Sequence, residues 1–363
     1  MHAIFARAKI NGPEGYAFNS TLHLFERQAV TSSGIAIAKR AGKIAIIREP
    51  QTQRKRPYSL RFAAGCALQC HGTLTPDNTI ILHKGQAMTI PGKLQPDQKP
   101  QAWDDHVCLY EEVFEPLSQS LALKAIEALS LKPGASVIDS GAGSGGAALK
   151  LARLGMHVTA IDASAGMVAR LKARAANAGL KLDAMVMDGQ RLTLSDASFD
   201  AALSVFGVIL YPDAAAGLSE LRRVVKPGGR IALVTWTEPE AYELVLELRA
   251  AAASVVGELP AGALPAQLRF KDKNQFQTLF DAAGLSAIEI DIAAASLKAP
   301  SPRWLTDRLA FAPGMAALLA SFCPREAEVL AAFRARLERR FGGGEVELDA
   351  KAFIGVGEVP ARR

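Results

Sequence analysis

From about Trp103 onward the chain alternates short apolar runs with stretches whose apolar residues recur every three or four positions. This is the pattern of strands joined by crossover helices, and it predicts a parallel sheet covered by helices. Leu117, Leu121, Ala125 and Leu129 place a helix over Phe114 to Leu129, and Lys132-Pro133-Gly134 turns the chain into a strand at Ser136 to Asp139. Ala147 to Leu154 reads as a helix stopped by Gly155, and His157 to Asp162 as the second strand. Ser164 stands where it can cap a helix that points Met167, Val168 and Leu171 inward and ends at Gly179. Leu182 to Met187 and Phe199 to Val205 are the third and fourth strands. Asp213 can cap a helix carrying Leu218, Leu221 and Val225, which Lys226-Pro227-Gly228-Gly229 breaks before a fifth strand, Arg230 to Trp236. Thr237 and Glu240 flank Pro239 in a capping-box arrangement that starts another helix. Gln275 to Ala283 is a helix, and Ala287 to Ile292 and Ala352 to Val356 are the last strands. The sequence between those strands is mostly helical, including Pro324 to Phe341 with Val329, Leu330, Phe333, Leu337 and Phe341 inward. Such an insertion is placed to cover a site near the sheet edge.

Residues 1–87 do not follow this pattern. They hold short β-like runs, Ile44 to Ile47 and Thr79 to Leu82, among scattered Gly, Pro and Gln. Charge marks the same division. Residues 1–87 carry 12 Lys and Arg against 4 Asp and Glu, which leaves 30 against 32 of the chain's 42 and 36 for residues 88–363. The net charge of +6 therefore sits in the first quarter, and the near-neutral remainder gives no reason to expect nucleic acid as a partner. Residues 1–87 read either as a small β-rich module or as upstream sequence ahead of a start at Met88; the charge shift and the missing core pattern favour the second. Residues 88–363 are expected to form the working domain.

With 49% apolar and 21% charged residues, a globular core is expected. The longest apolar stretch, Ala201 to Tyr211, falls well short of the roughly 20 residues that span a bilayer. Arg7 and Lys9 interrupt the short apolar start, so no signal-peptide pattern is seen. The four cysteines suggest no disulfide framework, and a cytoplasmic setting is expected. Cys66, Cys70 and His71 lie together, but no second ligand pair accompanies them and no metal is expected. The basic run Arg54 to Arg56 reads as a solvated turn.

The chemistry concentrates at "VIDSGAGSGG", Val137 to Gly146. A lone G-x-G-x-x-G is weak, but here a strand precedes it and a helix follows, which is nucleotide-binding geometry. Asp162, at the end of the next strand, is placed to accept hydrogen bonds from ribose hydroxyls. Asp139 discriminates between cofactors. A carboxylate at the mouth of the loop would repel the pyrophosphate that the helix N-terminus attracts in a dinucleotide site. It suits S-adenosylmethionine, which has no phosphate but carries an ammonium and a sulfonium. Asp188 follows the third strand, where an adenine amino group needs an acceptor.

"VIDSGAGSGG", "VTAIDAS", "VMDGQRL", "FDAALSVFGVILYPD" and "LRRVVKPGGRIALVTW" resemble, in order and spacing, the successive motifs of class I S-adenosylmethionine-dependent methyltransferases. The resemblance spans about residues 103–357 and is nearest to the small-molecule branch that includes quinone-biosynthesis enzymes. It implies an α/β, Rossmann-like seven-stranded sheet with an antiparallel last strand, a helical lid or insertion before that strand, and S-adenosyl-L-methionine as cofactor. It implies that Asp139, Gly141 and Gly143 line the methionine moiety, that Asp162 binds the ribose and that Met167 packs on the adenine. Asp188 and Gly189 would meet the adenine edge, and Ser204 and Val205 would lie beneath the cofactor near the methyl group. Ser140 departs from the aliphatic residue of many relatives, and a modest packing change is expected from it.

Methyl transfer from a sulfonium is an in-line displacement, so alignment and exclusion of water are the main demands, with a base only where the acceptor must lose a proton. His106, Tyr110, Tyr211 and Asp213 are the candidates. In the family a segment like "WDDHVCLYEEVF" closes over the cofactor, which would make Trp103 and Tyr110 part of a lid. The plainer alternatives are packing aromatics, a surface histidine and, for Asp213, a helix cap. After the fourth strand the chain lacks the Asn/Asp-Pro-Pro-aromatic run of enzymes that methylate base amino groups, so the acceptor is expected to be a small molecule. A cofactor-binding scaffold of the same fold is the non-enzymatic alternative. Phe206, Ile209, Leu210, Trp304 and Phe311 hint at an apolar acceptor. Oxygen, nitrogen, carbon and sulfur stay open as the methylated atom. The helix-rich Arg303 to Phe341 stretch serves as a substrate lid or a homodimer surface in this reading.

Overall fold

The computed structural model describes residues 94–257 and 265–361, together with short strands within residues 35–89. The chain divides into two units, Met1–Lys93 and Leu94–Arg363. In the first, Ile35–Arg40 pairs antiparallel with Lys43–Arg48, and Thr73–Leu74, Thr79–Ile81 and Ala87–Thr89 form a three-stranded antiparallel sheet. Cys66, Cys70, His71 and Arg54 to Arg56 lie outside the described residues.

The second unit is built on seven strands: β1 (Ser136–Ser140), β2 (His157–Asp162), β3 (Asp183–Val186), β4 (Phe199–Val205), β5 (Val225–Trp236), β6 (Ser286–Ala299) and β7 (Val346–Glu358). They lie in the order β3-β2-β1-β4-β5-β7-β6. The β1–β5 pairs are parallel, while β7 runs antiparallel to both β5 and β6. The antiparallel last strand is thus present. Alternation along the strands feeds two cores, one on each face. Val137, Leu203, Ala232 and Val234 point to one; Ile138, Ala202, Ile231 and Leu233 point to the other.

The first face is covered by α1 (Glu115–Ala128), α2 (Gly146–Arg153), α3 (Ala165–Asn177) and α5 (Glu243–Val256), and the second by α4 (Ala214–Val224) and α6 (Lys273–Ala282). Ser164 caps α3 through Met167 N–H at 3.1 Å, and Asp213 caps α4 through Ala216 N–H at 2.9 Å, as their spacing predicts. Between β6 and β7 lie α7 (Pro302–Thr306), α8 (Pro313–Ala320) and α9 (Glu326–Phe341), which bury Val329, Phe333 and Leu337 in the first core. No helix among the described residues is long and apolar enough to cross a membrane.

Three expectations need correction. The Thr237–Glu240 capping box does not form: the Thr237 hydroxyl donates to the Lys351 carbonyl at 3.1 Å, and α5 starts only at Glu243. β5 begins at Val225, because the Pro-Gly-Gly segment is absorbed as a bulge between the pairs Phe199–Val225 and Ala201–Arg230. β6 and β7 run well past the predicted runs, pairing continuously out to Ala299 and Val346.

Candidate cofactor-binding site

The loop leaving β1 folds back on β2. The N–H groups of Gly141 and Ala142 both donate to the Ile161 carbonyl at 2.9 Å, and Gly143 N–H donates to Asp162 Oδ2 at 2.9 Å. Gly141 has φ +72° and lies against the loop after β4, so that a Cβ there would stand 2.7 Å from Gly207 Cα. Gly145, with φ +96°, faces Leu171 of α3, whose Cγ would be 2.6 Å from an added Cβ. The two glycines therefore hold the loop down on β4 and α3 at distances no other residue allows.

Three acids stand at the ends of β1, β2 and β3. Asp139 is only 1% exposed, and its Oδ2 has no hydrogen-bond partner among the described residues. Burial, with Asp162 nearby, pushes its carboxyl up to about 7. Asp162 accepts from Gly143 N–H and, through Oδ1, from Ser164 N–H at 2.8 Å; burial still raises its pKa against those bonds. Asp188 is the open one, accepting from Gln190 N–H at 3.0 Å with its side chain 40% exposed. Gly189 lies under the Tyr211 ring, and Met167 is buried on α3. Ser204 is buried too: its hydroxyl donates to the Ser140 carbonyl at 2.6 Å and accepts from Val208 N–H at 2.9 Å, stitching the end of β4 to β1. A small cavity beside Asp139 is lined by Tyr110, Gly141, Ala142, Gly146 and Val205.

Above the loop runs the segment from Asp97 to Phe114. Tyr110 lies over Gly143, its ring 3.6 Å from where a Cβ would be, and Trp103 meets it edge-on at 5.8 Å. Burial and neighbouring acids raise the Tyr110 phenol well above its ordinary range. His106 faces the insertion, with Nδ1 2.8 Å from the Ala310 carbonyl. Because a carbonyl only accepts, Nδ1 carries the proton, which leaves Nε2 basic in the neutral ring. Tyr211 lies on the other side of the loop, its hydroxyl 2.9 Å from Ser140 Oγ and its phenol raised by burial. The candidates His106, Tyr110 and Tyr211 thus come from three different surroundings. Beyond the loop, Phe114 stacks on Phe311 at 5.7 Å, Phe206 on Trp236 at 4.4 Å and Trp236 on Tyr242 at 4.6 Å. Phe206 adopts φ +58°, a strained conformation for a bulky residue, where β4 meets the loop.

Sequence reading missed Asp104, Glu115 and Arg174. Asp104 Oδ1 accepts from the Ser164 hydroxyl at 2.5 Å and Gly166 N–H at 2.8 Å at the start of α3. Glu115 takes both Arg174 guanidinium nitrogens at 2.7 Å. Glu115 at a helix start and Arg174 in a last helical turn read as ordinary helix-end charges, and only the fold brings α3 to Asp104 and Glu115.

This donor set fits S-adenosylmethionine. The buried Asp139 oxygen, unpartnered among the described residues, suits a cationic donor such as an ammonium.

Residues 137–229 match the family described as "Methyltransferase domain". An uncharacterized protein of Mycobacterium tuberculosis is 36% identical over 164 residues, 45% of this chain and 58% of that protein. Demethylmenaquinone methyltransferase of Beutenbergia cavernae is 40% identical over 114 residues, 31% of this chain and 46% of that enzyme. The chain thus spans about half the length of the curated relatives it matches. The YcgJ protein of Bacillus subtilis is similar at 18% identity and a TM-score of 0.46, over 68% of this chain and 99% of that one. Its strand order, its glycine loop and the matched segment are similar to those of the class I S-adenosylmethionine-dependent methyltransferases.

Proposed function

We propose that the protein methylates a small, largely apolar molecule. The observation that carries the reading is the buried Asp139 oxygen without a partner, at the mouth of a glycine loop. When bound, S-adenosylmethionine supplies an electrophilic methyl group that needs no further activation. In this reading Asp139, Gly141 and Gly143 hold the amino-acid end and Asp162 the ribose. Met167, Asp188 and Gly189 hold the adenine. Ser204 acts indirectly, by fixing the β4 loop against Ser140.

The chain's own residues align the acceptor and exclude water. Tyr110 and Trp103 cover the loop, and Phe114, Phe206, Trp236 and Phe311 form a packed aromatic cluster next to it. An apolar acceptor suits a site bordered by such a cluster. Where the acceptor must lose a proton, His106 is the best suited of the three candidates, because its neutral tautomer keeps Nε2 free to accept it. Tyr110 and Tyr211 hold their protons too tightly.

Calorimetric titration of the full chain with S-adenosylmethionine, and with NAD as control, tests the reading. Micromolar binding of the first alone supports it. Binding of NAD alone, or of neither, overturns it. A chain starting at Met88 is expected to bind equally well, since every residue assigned here lies beyond it.

A further inference from the structure

The segment over the glycine loop is fastened to α3 by a row of acids. Asp104 takes the Ser164 hydroxyl and Gly166 N–H, Glu111 takes the Arg170 guanidinium at 2.6 and 2.7 Å, and Glu115 takes Arg174. Gly166, Arg170 and Arg174 are four residues apart, so they share one face of α3. The last of these contacts differs from the others. Glu115 is 4% exposed, and the Ser144 hydroxyl, from inside the glycine loop, also donates to it. Arg174 donates in turn to the Ser144 carbonyl at 2.9 Å, and Gln119 donates to Glu115 at 2.8 Å. Ser144 is fully buried between Gly143 and Gly145, both of which have positive φ.

We propose that Glu115 is a positioning residue: through Ser144 and Arg174 it sets the glycine loop in its cofactor-holding form, so that seating the Trp103–Phe114 lid and setting the loop are one event. Glu115 directly follows the lid, and Tyr110, five residues earlier, covers Gly143. Removing the carboxylate leaves the half-buried Arg174 with only the longer contact to Glu111, and the Ser144 hydroxyl without its acceptor. Glu111 lacks that link. It is more exposed, and it binds Arg170 and lies 3.7 Å from Arg174 Nε without touching the loop. The inference rests on the methyltransferase reading only for what the loop holds, not for the coupling itself.

The test is hydrogen exchange on the full chain, with S-adenosylhomocysteine affinity measured alongside. In Glu115→Gln, segments 100–114 and 141–146 are expected to exchange faster together while β4 and β5 keep their protection, and the Kd for S-adenosylhomocysteine is expected to rise tenfold or more. Glu111→Gln should loosen the lid and leave the loop protected. Ser144→Ala, a milder change that keeps the ion pair, should loosen both segments to a smaller extent. The proposal is overturned if Glu115→Gln frees the lid but not the loop, or speeds exchange equally through β4 and β5. It is also overturned if Glu111→Gln frees the loop as well. Should the unaltered chain bind no S-adenosylhomocysteine, the methyltransferase reading fails, and the exchange pattern alone still decides the coupling.

Discussion

Ser140 Oγ lies 2.9 Å from the Tyr211 hydroxyl, under the glycine loop. Ser140 is fully buried, and its own carbonyl takes the Ser204 hydroxyl. The serine at the end of β1 is therefore matched by a phenol from the loop after β4. Tyr211→Phe should destabilise the fold by about 1–2 kcal/mol, the scale of a buried hydroxyl left unpaired. The double variant Ser140→Ala, Tyr211→Phe should recover most of that loss. Urea unfolding of the set measures both, and additive losses would refute the pairing.

Asp139 makes the free protein sensitive to pH in a definite direction. Its carboxyl titrates near 7 when folded and near the ordinary 3.8 when unfolded, so the folded state binds more protons between those values. Its contribution to stability is therefore lost as pH rises from about 4 to 7. Asp139→Asn removes that term, and the variant should gain stability relative to the parent across the same window. Denaturation at pH 4.5 and pH 7.5 checks the sign.

Asp162 has two tasks that one substitution exposes. Asp162→Ala should weaken S-adenosylmethionine binding by roughly 1.5–3 kcal/mol, the scale of charge-assisted hydrogen bonds. It should also loosen the loop, because Gly143 and Ser164 N–H lose their acceptor. Calorimetry reads the first effect and thermal unfolding the second. Unchanged affinity in a folded variant would reject the ribose assignment.

Gly141 and Gly134 share a left-handed backbone but not a neighbourhood. At Gly141 an added Cβ meets Gly207 backbone at 2.7 Å, whereas at Gly134 nothing lies within 4 Å. Gly134→Ala should cost about 1 kcal/mol for backbone strain alone. Gly141→Ala should cost about 2–4 kcal/mol, since overpacking against a rigid backbone adds to the strain. Equal costs would mean that the β1 and β4 loops are not in contact.

Much of this architecture is legible along the chain because local pattern and fold agree. The runs His157–Asp162 and Phe199–Val205 are buried strands in sequence and in structure alike. β6 shows where that agreement ends. Its second half, Ala293 to Ala299, is rich in alanine and poor in β-branched residues, and it is a strand because β7 pairs with it. Thr237 fits a cap by spacing, yet its hydroxyl finds a carbonyl more than a hundred residues away. The three strand-end acids are visible as motifs. The network of Glu115, Ser144 and Arg174 is not, because its members lie 29 and 59 residues apart and meet only once β1 and β2 pair.

Asp139 is a buried acid raised to about 7, so at pH 6.5 a cationic ligand meets it largely protonated. Calorimetric titration with S-adenosylhomocysteine at pH 6.5, in buffers of different ionisation enthalpy, counts the protons exchanged on binding. Proton release is expected in the parent chain as Asp139 ionises against the ligand's ammonium, and none in Asp139→Asn. Binding without proton release, or equal release in both, would contradict it.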